Sequence, residues 1–243
     1  MKTSLLLCLL TLLSSCVADS PGTDVVDAPK SVSSPTVNHW GEMRVVLREG
    51  RTEGRVALSE VIGANTIALG AMEALTGEIT VLDGVTHVTE VDRSTTTGVV
   101  TRGVAHGDRA TLLVAAQVDE WSQHELGAVP DLATLEERIR SLAGTIASAP
   151  MPFRVEGTAA RLGLHVLDGS CPIANPDGPS PWRYVGEEEP TTLVGFYAEN
   201  SAGVLTHHGQ ATHIHAILAQ REISGHLDDV SFLEGARLYL PAR

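Results

Sequence analysis

The sequence predicts an α+β protein of mixed and antiparallel β-sheets with few helices. Three observations carry that reading. β-rich runs bounded by turn residues recur along the chain, at 66–70, 78–82, 85–91, 111–118, 153–156 and 162–167. Only 131–142 shows a clear amphipathic helical stripe. Helices and strands do not alternate regularly, as a parallel α/β sheet would require. At 243 residues the chain can bury a sizeable core in one large or two small domains. Aromatic residues make up only 4%, so Val, Leu, Ile and Ala must fill that core.

The N-terminus reads as a targeting segment. Lys2 supplies the positive region and 5–13 the apolar region, too short for a spanning helix of the mature protein. Residues 13–16 (LSSC) resemble a bacterial lipobox, which implies lipidation at Cys16 after removal of the preceding residues and predicts an exported, lipid-anchored protein. The alternative is an ordinary secretory signal with a cysteine nearby. Residues 17–38 are rich in Pro, Ser, Asp and Thr and read as a disordered tether. The folded domain spans 39–243. Loss of Cys8 with the signal leaves Cys171 as the one thiol besides the lipidated Cys16, so no intrachain disulfide is expected.

Within the domain, 57–62 reads as a short helix stopped at Gly63. The pair Asp83-Gly84 between two β-rich runs is a strong hairpin signal. The apolar run 111–118 reads as a central strand. In the helix at 131–142, Asp131 can cap the first turn, and Leu132, Leu135, Ile139 and Leu142 form the apolar stripe. Glu136 and Arg140 are spaced as an i,i+4 pair on its exposed face. Two strands are expected around Gly157. Segment 171–190 holds five prolines and reads as a long loop in which Glu187, Glu188 and Glu189 are solvated. His207 and His208 read as a polar turn, and Cys171 as a loop thiol.

The chemistry concentrates in 193–232. Alternation around His213 and His215 argues for a strand carrying both imidazoles on one face. His226 follows eleven residues after His215. If Leu218 pairs with Gly225, His226 falls on the same face, opposite Ile217 and diagonal to His215, with Cβ atoms about 6–8 Å apart. Three neutral imidazoles suffice for a zinc that keeps a fourth position open. The same spacing also fits a histidine-bearing surface hairpin. The formal net charge of −13 provides no basic patch and argues against nucleic acid as a partner.

Four ordered blocks resemble the bacterial α-acetolactate decarboxylase family. Leu69-Gly70 with 74–84 (ALTGEITVLDG) is similar to the family's G-T-F-x-x-L-D-G-E-x-x-x-L-D-G segment. Residues 131–157 resemble its helix, strand and turn. Residues 193–197 (LVGFY) resemble its G-T-L-V-G-F-W strand, and 209–226 resemble G-Y-H-x-H-F followed by G-G-H. Together they cover about 55–232. The resemblance implies that His213, His215 and His226 bind Zn2+, that Glu78 approaches the metal, and that a small hydroxy-keto acid loses CO2 to give acetoin. It also implies a homodimer. Loss of CO2 leaves an electron pair that a chelating zinc can stabilise as a Lewis acid, and a proton must then reach carbon, for which Glu78 is a candidate.

The chain departs from the family at three positions. His165 stands where the family has an arginine suited to a carboxylate, and Arg161 is a substitute offset along the strand. Thr76 replaces an aspartate. The family's C-terminal glutamate has no counterpart before Arg243. An acetolactate decarboxylase-type carbon–carbon lyase is therefore expected. Two alternatives remain: a zinc-binding surface lipoprotein of the same fold without activity, and a related metal-dependent lyase or isomerase acting on another hydroxy-keto acid.

Overall fold

The computed structural model describes residues 34–171 and 174–242. The signal segment, its lipobox and most of the expected tether lie outside them. Two sheets form the frame. The first runs in the order β1-β7-β3-β4-β5-β6 and contains β1 (Asn38–Trp40), β3 (Thr66–Met72), β4 (Gly77–Leu82), β5 (Val85–Val91), β6 (Val99–Arg102) and β7 (Arg109–Gln117). The short β2 (Val56–Ala57) also pairs with β7. As expected, β7 is flanked on both sides, and its residues from Ala110 to Ala116 are buried. Asp83 and Gly84 both have positive φ, at 50° and 79°, and close the β4–β5 hairpin in the mirror-image turn that matches strand twist.

The second sheet contains β8 (Trp121–Glu125), β9 (Met151–Val166), β10 (Trp182–Tyr197), β11 (Thr212–Leu218), β12 (Ile223–Phe232) and β13 (Arg237–Pro241). Its order is β10-β11-β12-β9-β13-β8, and β10 also pairs with β9, so β9, β10, β11 and β12 close into a ring. Period-two alternation decides what each face buries. On β10, Val194 and Phe196 meet Ile67, Leu69 and Val114 of the first sheet, while Leu193 and Tyr197 turn to the second sheet's own core. Gly195 lies across from Phe153, whose ring takes the space of the missing side chain: a Cβ there would sit 2.1 Å from the ring.

Several local expectations change. β9 is one strand of 16 residues and passes through Gly157 without a break. Gly157 is needed for a close approach, since a Cβ would lie 2.9 Å from that of Ala236. The loop after Cys171 ends at Pro181, because the following residues pair with β9 over their whole length. Glu189 is accordingly buried and accepts hydrogen bonds from Tyr184 (2.7 Å) and Arg221 (2.6 Å).

The short helices α1 (Met43–Leu47) and α2 (Leu58–Val61) pack against the first sheet; α3 (Leu132–Ala143) packs on the second. Asp131 caps α3 by accepting from the Thr134 amide at 2.7 Å. Leu135, Ile139 and Ala143 are its buried residues, whereas Leu142 is exposed. Glu136 makes a different contact from the one its spacing suggested. Its Oε1 accepts from the amides of Ala211 and Thr212, each at 3.0 Å, and from the Thr212 hydroxyl at 2.6 Å. The helix thereby holds the first residue of β11, one position before His213. Glu136→Ala leaves these donors unmatched and is expected to lower unfolding free energy by about 2–3 kcal/mol. Urea titration checks this, and a loss below about 0.5 kcal/mol would mean that the contact does not anchor β11.

Candidate metal centre

His213 and His215 lie on the face of β11 that looks toward the first sheet, and both are buried. β12 pairs with β11 so that His226 stands directly across from His215, and Leu218 pairs with Ile223. The register differs by two residues from the sequence expectation because the turn is tighter, closing over Ala219–Arg221 and Glu222 at φ 55°. A slip of two preserves the face. The three rings have centroids 5.2–5.5 Å apart, and one nitrogen from each lies within 4.8 Å of the others.

The donor chemistry suits a metal ion. The Thr80 hydroxyl lies 3.0 Å from His215 Nδ1. With the proton on Nδ1, Nε2 presents its lone pair, and that buried atom has no hydrogen-bond partner among the described residues. A backbone carbonyl, that of Leu205, engages the His213 ring in the same way. Burial, with the neighbouring imidazoles, pushes His213 and His226 well below the ordinary histidine range, and burial pushes His215 down to about 3. All three are thus held neutral, the state in which imidazole binds metal.

Glu78 reaches this cluster from β4. Its Oε2 is 3.6 Å from His215 Nε2, and its Oε1 accepts from the Leu167 amide at 3.4 Å. Burial raises its pKa well above the ordinary carboxyl value, with the Leu167 amide partly opposing. Thr80 comes from the same face of β4, two residues on.

The other expected residues separate. His165 is at the site, its ring 4.8 Å from that of His226, and β9 places it across from both His226 and Arg183. Its Nδ1 donates to Asp228 Oδ1 at 2.7 Å, and Arg183 Nη1 donates to Asp228 Oδ2 at 2.6 Å. Burial raises Asp228, but these two partners outweigh it and hold the carboxylate below its ordinary pKa. Arg161 is not brought to the cluster. Its side chain is exposed and its nearest acid is Asp229, at 4.0 Å.

Sequence reasoning missed Arg183, Asp228, Thr80 and His207 as members of the site. His207 packs edge-on against His226 with centroids 5.1 Å apart and lines the same cavity. Asp228 and Thr80 were within reach of the alternation rule, each two residues from a recognised group.

A family model described as alpha-acetolactate decarboxylase matches residues 43–241. The chain belongs to that family. Solved structures agree on the fold. An acetolactate decarboxylase from Bacillus subtilis strain 168 superposes with a TM-score of 0.65 at 18% identity, covering 85% of this chain and 86% of that one. A protein of unknown function from Staphylococcus aureus, similar to alpha-acetolactate decarboxylase, gives 0.66 at 13% identity with 84% of each chain covered. The enzyme from Bacillus subtilis subspecies spizizenii gives 0.65 at 18% identity, with 85% and 86% covered. A comparison with curated proteins gives no match.

The role of Thr80 is testable. Thr80→Val removes the side-chain hydrogen bond to His215, leaving that of the Ile79 backbone, and is expected to weaken metal affinity about 10-fold while leaving the fold intact. Competition with a fluorescent chelator measures this, and an unchanged affinity would separate Thr80 from the site.

Proposed function

We propose that this family member binds zinc through His213, His215 and His226 and decarboxylates a 2-hydroxy-3-keto acid of the acetolactate type, giving an acetoin-type product. One observation carries the reading: three neutral imidazoles converge around a buried His215 Nε2 that has no hydrogen-bond partner among the described residues, with the Glu78 carboxyl 3.6 Å away. Three imidazoles suit a zinc with an open position, although other divalent ions share that preference. When bound, the ion supplies Lewis-acid stabilisation of the negative charge that develops on the substrate.

The chain's own residues do the rest. Arg183 lines the cavity beside His165. Asp228 takes one of its N–H groups, leaving others for the substrate carboxylate. When the C–C bond to that carboxylate breaks, CO2 leaves and the electron pair passes into the adjacent carbonyl as an enediolate. Carbon must then gain a proton. Glu78 is the buried carboxyl placed to hold and deliver it, and the Leu167 amide fixes its orientation. His165 is oriented by Asp228 through Nδ1, so its Nε2 is available to the substrate's oxygens.

The test uses protein beginning at residue 17. Stoichiometric zinc and acetoin release from racemic acetolactate are expected. Glu78→Gln should lower kcat about 100- to 10,000-fold with zinc content unchanged. Arg183→Ala should raise KM about 10- to 100-fold, the loss of one or two charged hydrogen bonds. Full zinc loading without acetoin would overturn the decarboxylase reading, and unchanged zinc in His213→Ala would overturn the site.

We also propose that the chain is exported and anchored through lipid on Cys16, a reading supported by the LSSC sequence after an apolar stretch. Expressed in a bacterial host, the full chain should partition into the detergent phase of a phase-separating detergent, and Cys16→Ser should move it to the aqueous phase. Aqueous partitioning of the wild type would contradict the anchor.

A further inference from the structure

We propose that a second cavity, beside the metal centre but separate from it, binds a phosphate-type dianion, either free phosphate or the phosphate group of an organic ester. The inference stands independently of the decarboxylase reading.

This cavity encloses about 210 Å³ and is lined by α1 and the turn over residues 203–208. Backbone bonds hold the two elements together. The Met43 amide donates to the Val204 carbonyl (3.1 Å) and the Arg44 amide to that of Gly203 (2.8 Å). The turn closes on itself through the Gly203 amide and the Thr206 carbonyl (2.8 Å). From α1 come Arg44 and Arg48, spaced i,i+4 and so on one side of the helix. From the turn come Thr206, His207 and His208. Gly203 keeps the gap open. Its φ is 76°, and a Cβ there would stand 3.5 Å from Arg44 Cβ and 3.7 Å from His208 Nε2. The helix and the turn therefore present their donors to a common space.

Charge decides what that space would hold. The chain has 30 Asp and Glu against 17 Lys and Arg, yet no acidic residue lines this cavity. Arg44 gives one N–H group to Glu42 at 2.6 Å and has others left. The side chains of Arg48 and His208 make no hydrogen bond or ion pair among the described residues. The Thr206 hydroxyl is buried and has no hydrogen-bond partner among them either. A buried hydroxyl without a partner is a cost to the fold, and an acceptor in the cavity would remove it. Guanidinium forks pair with phosphate oxygens two at a time. Donors arriving from both a helix and a turn suit the three terminal oxygens of a phosphate better than the two of a carboxylate. The metal cavity adjoins this one at Met43, Leu47 and His207, which line both. Glu78 and Arg183 line only the first, and Arg44, Arg48 and His208 only the second.

Calorimetric titration of the zinc-loaded protein with inorganic phosphate at low ionic strength tests the proposal, with glycerol 3-phosphate as the ester probe. Saturable binding of one equivalent is expected, and added sodium chloride should weaken it. Arg48→Ala should weaken it about 10- to 100-fold, the loss of a charged hydrogen bond, and His208→Ala about fivefold. Both side chains are exposed, so neither change threatens the fold. Arg183→Ala should leave phosphate affinity as it was. Tighter binding of the ester than of inorganic phosphate would identify an esterified ligand and the reverse order a free ion; either supports the site. Three results would overturn it: no saturable binding, affinity unchanged in both Arg48→Ala and His208→Ala, or binding abolished by Arg183→Ala, which would place the phosphate in the metal cavity instead. Acetoin release plays no part in these readouts, so a failed decarboxylase assay leaves this inference standing.

Discussion

His215 is the group on which the site depends, because a fully buried imidazole must be satisfied from both sheets. The second sheet supplies the ring and its neighbours His213 and His226. The first sheet supplies the Thr80 hydroxyl at Nδ1 and the Glu78 carboxyl near Nε2. Neither sheet alone makes a site. The apolar contact of Ile67, Leu69 and Val114 with Val194, Phe196 and Ile217 sets the gap between them. A buried Nε2 without a protein partner costs about 1–3 kcal/mol when left unmatched. A metal ion held there would relieve that cost in the folded state, which would couple metal binding to folding.

The parts of this arrangement legible in the sequence are those governed by short periods. Alternation placed His213 and His215 on one face, Asp83-Gly84 marked a hairpin, and Asp131 marked a helix start. The expected β11–β12 register was off by two residues, yet the faces were right, because a period of two is insensitive to a slip of two. Glu78 came from the ordered family blocks, since a carboxylate at the start of a strand has no pattern of its own.

What was illegible has physical causes. Arg183 lies in the first half of β10, where only Gly186 and Glu189 are buried and prolines sit just before the strand. That half is held by its ladder to β9 rather than by a buried stripe, so hydrophobic alternation carries no signal. Glu136 looked like half of a helical ion pair because spacing along one helix cannot reveal a contact 75 residues away in the chain. His207 lies between strands, and no periodicity locates a residue whose position is set by a turn.

The exchange of the family's arginine for His165 also acquires a structural reading. The guanidinium has not vanished from this wall; Arg183 presents one from the neighbouring strand, with Asp228 between it and His165. Asp228 offsets part of that positive charge. For a decarboxylation this matters, because the carboxylate held in the ground state leaves as neutral CO2. A full unopposed cation would bind the starting carboxylate more tightly than the transition state, and such binding lowers KM without raising kcat. In the proposed decarboxylation, a guanidinium already shared with Asp228 would orient the carboxylate without holding it as tightly as an unopposed cation. The same carboxylate orients His165 through Nδ1, so one side chain on β12, two residues from a metal-ligand candidate, sets both the strength of the anion contact and the direction of the adjacent ring.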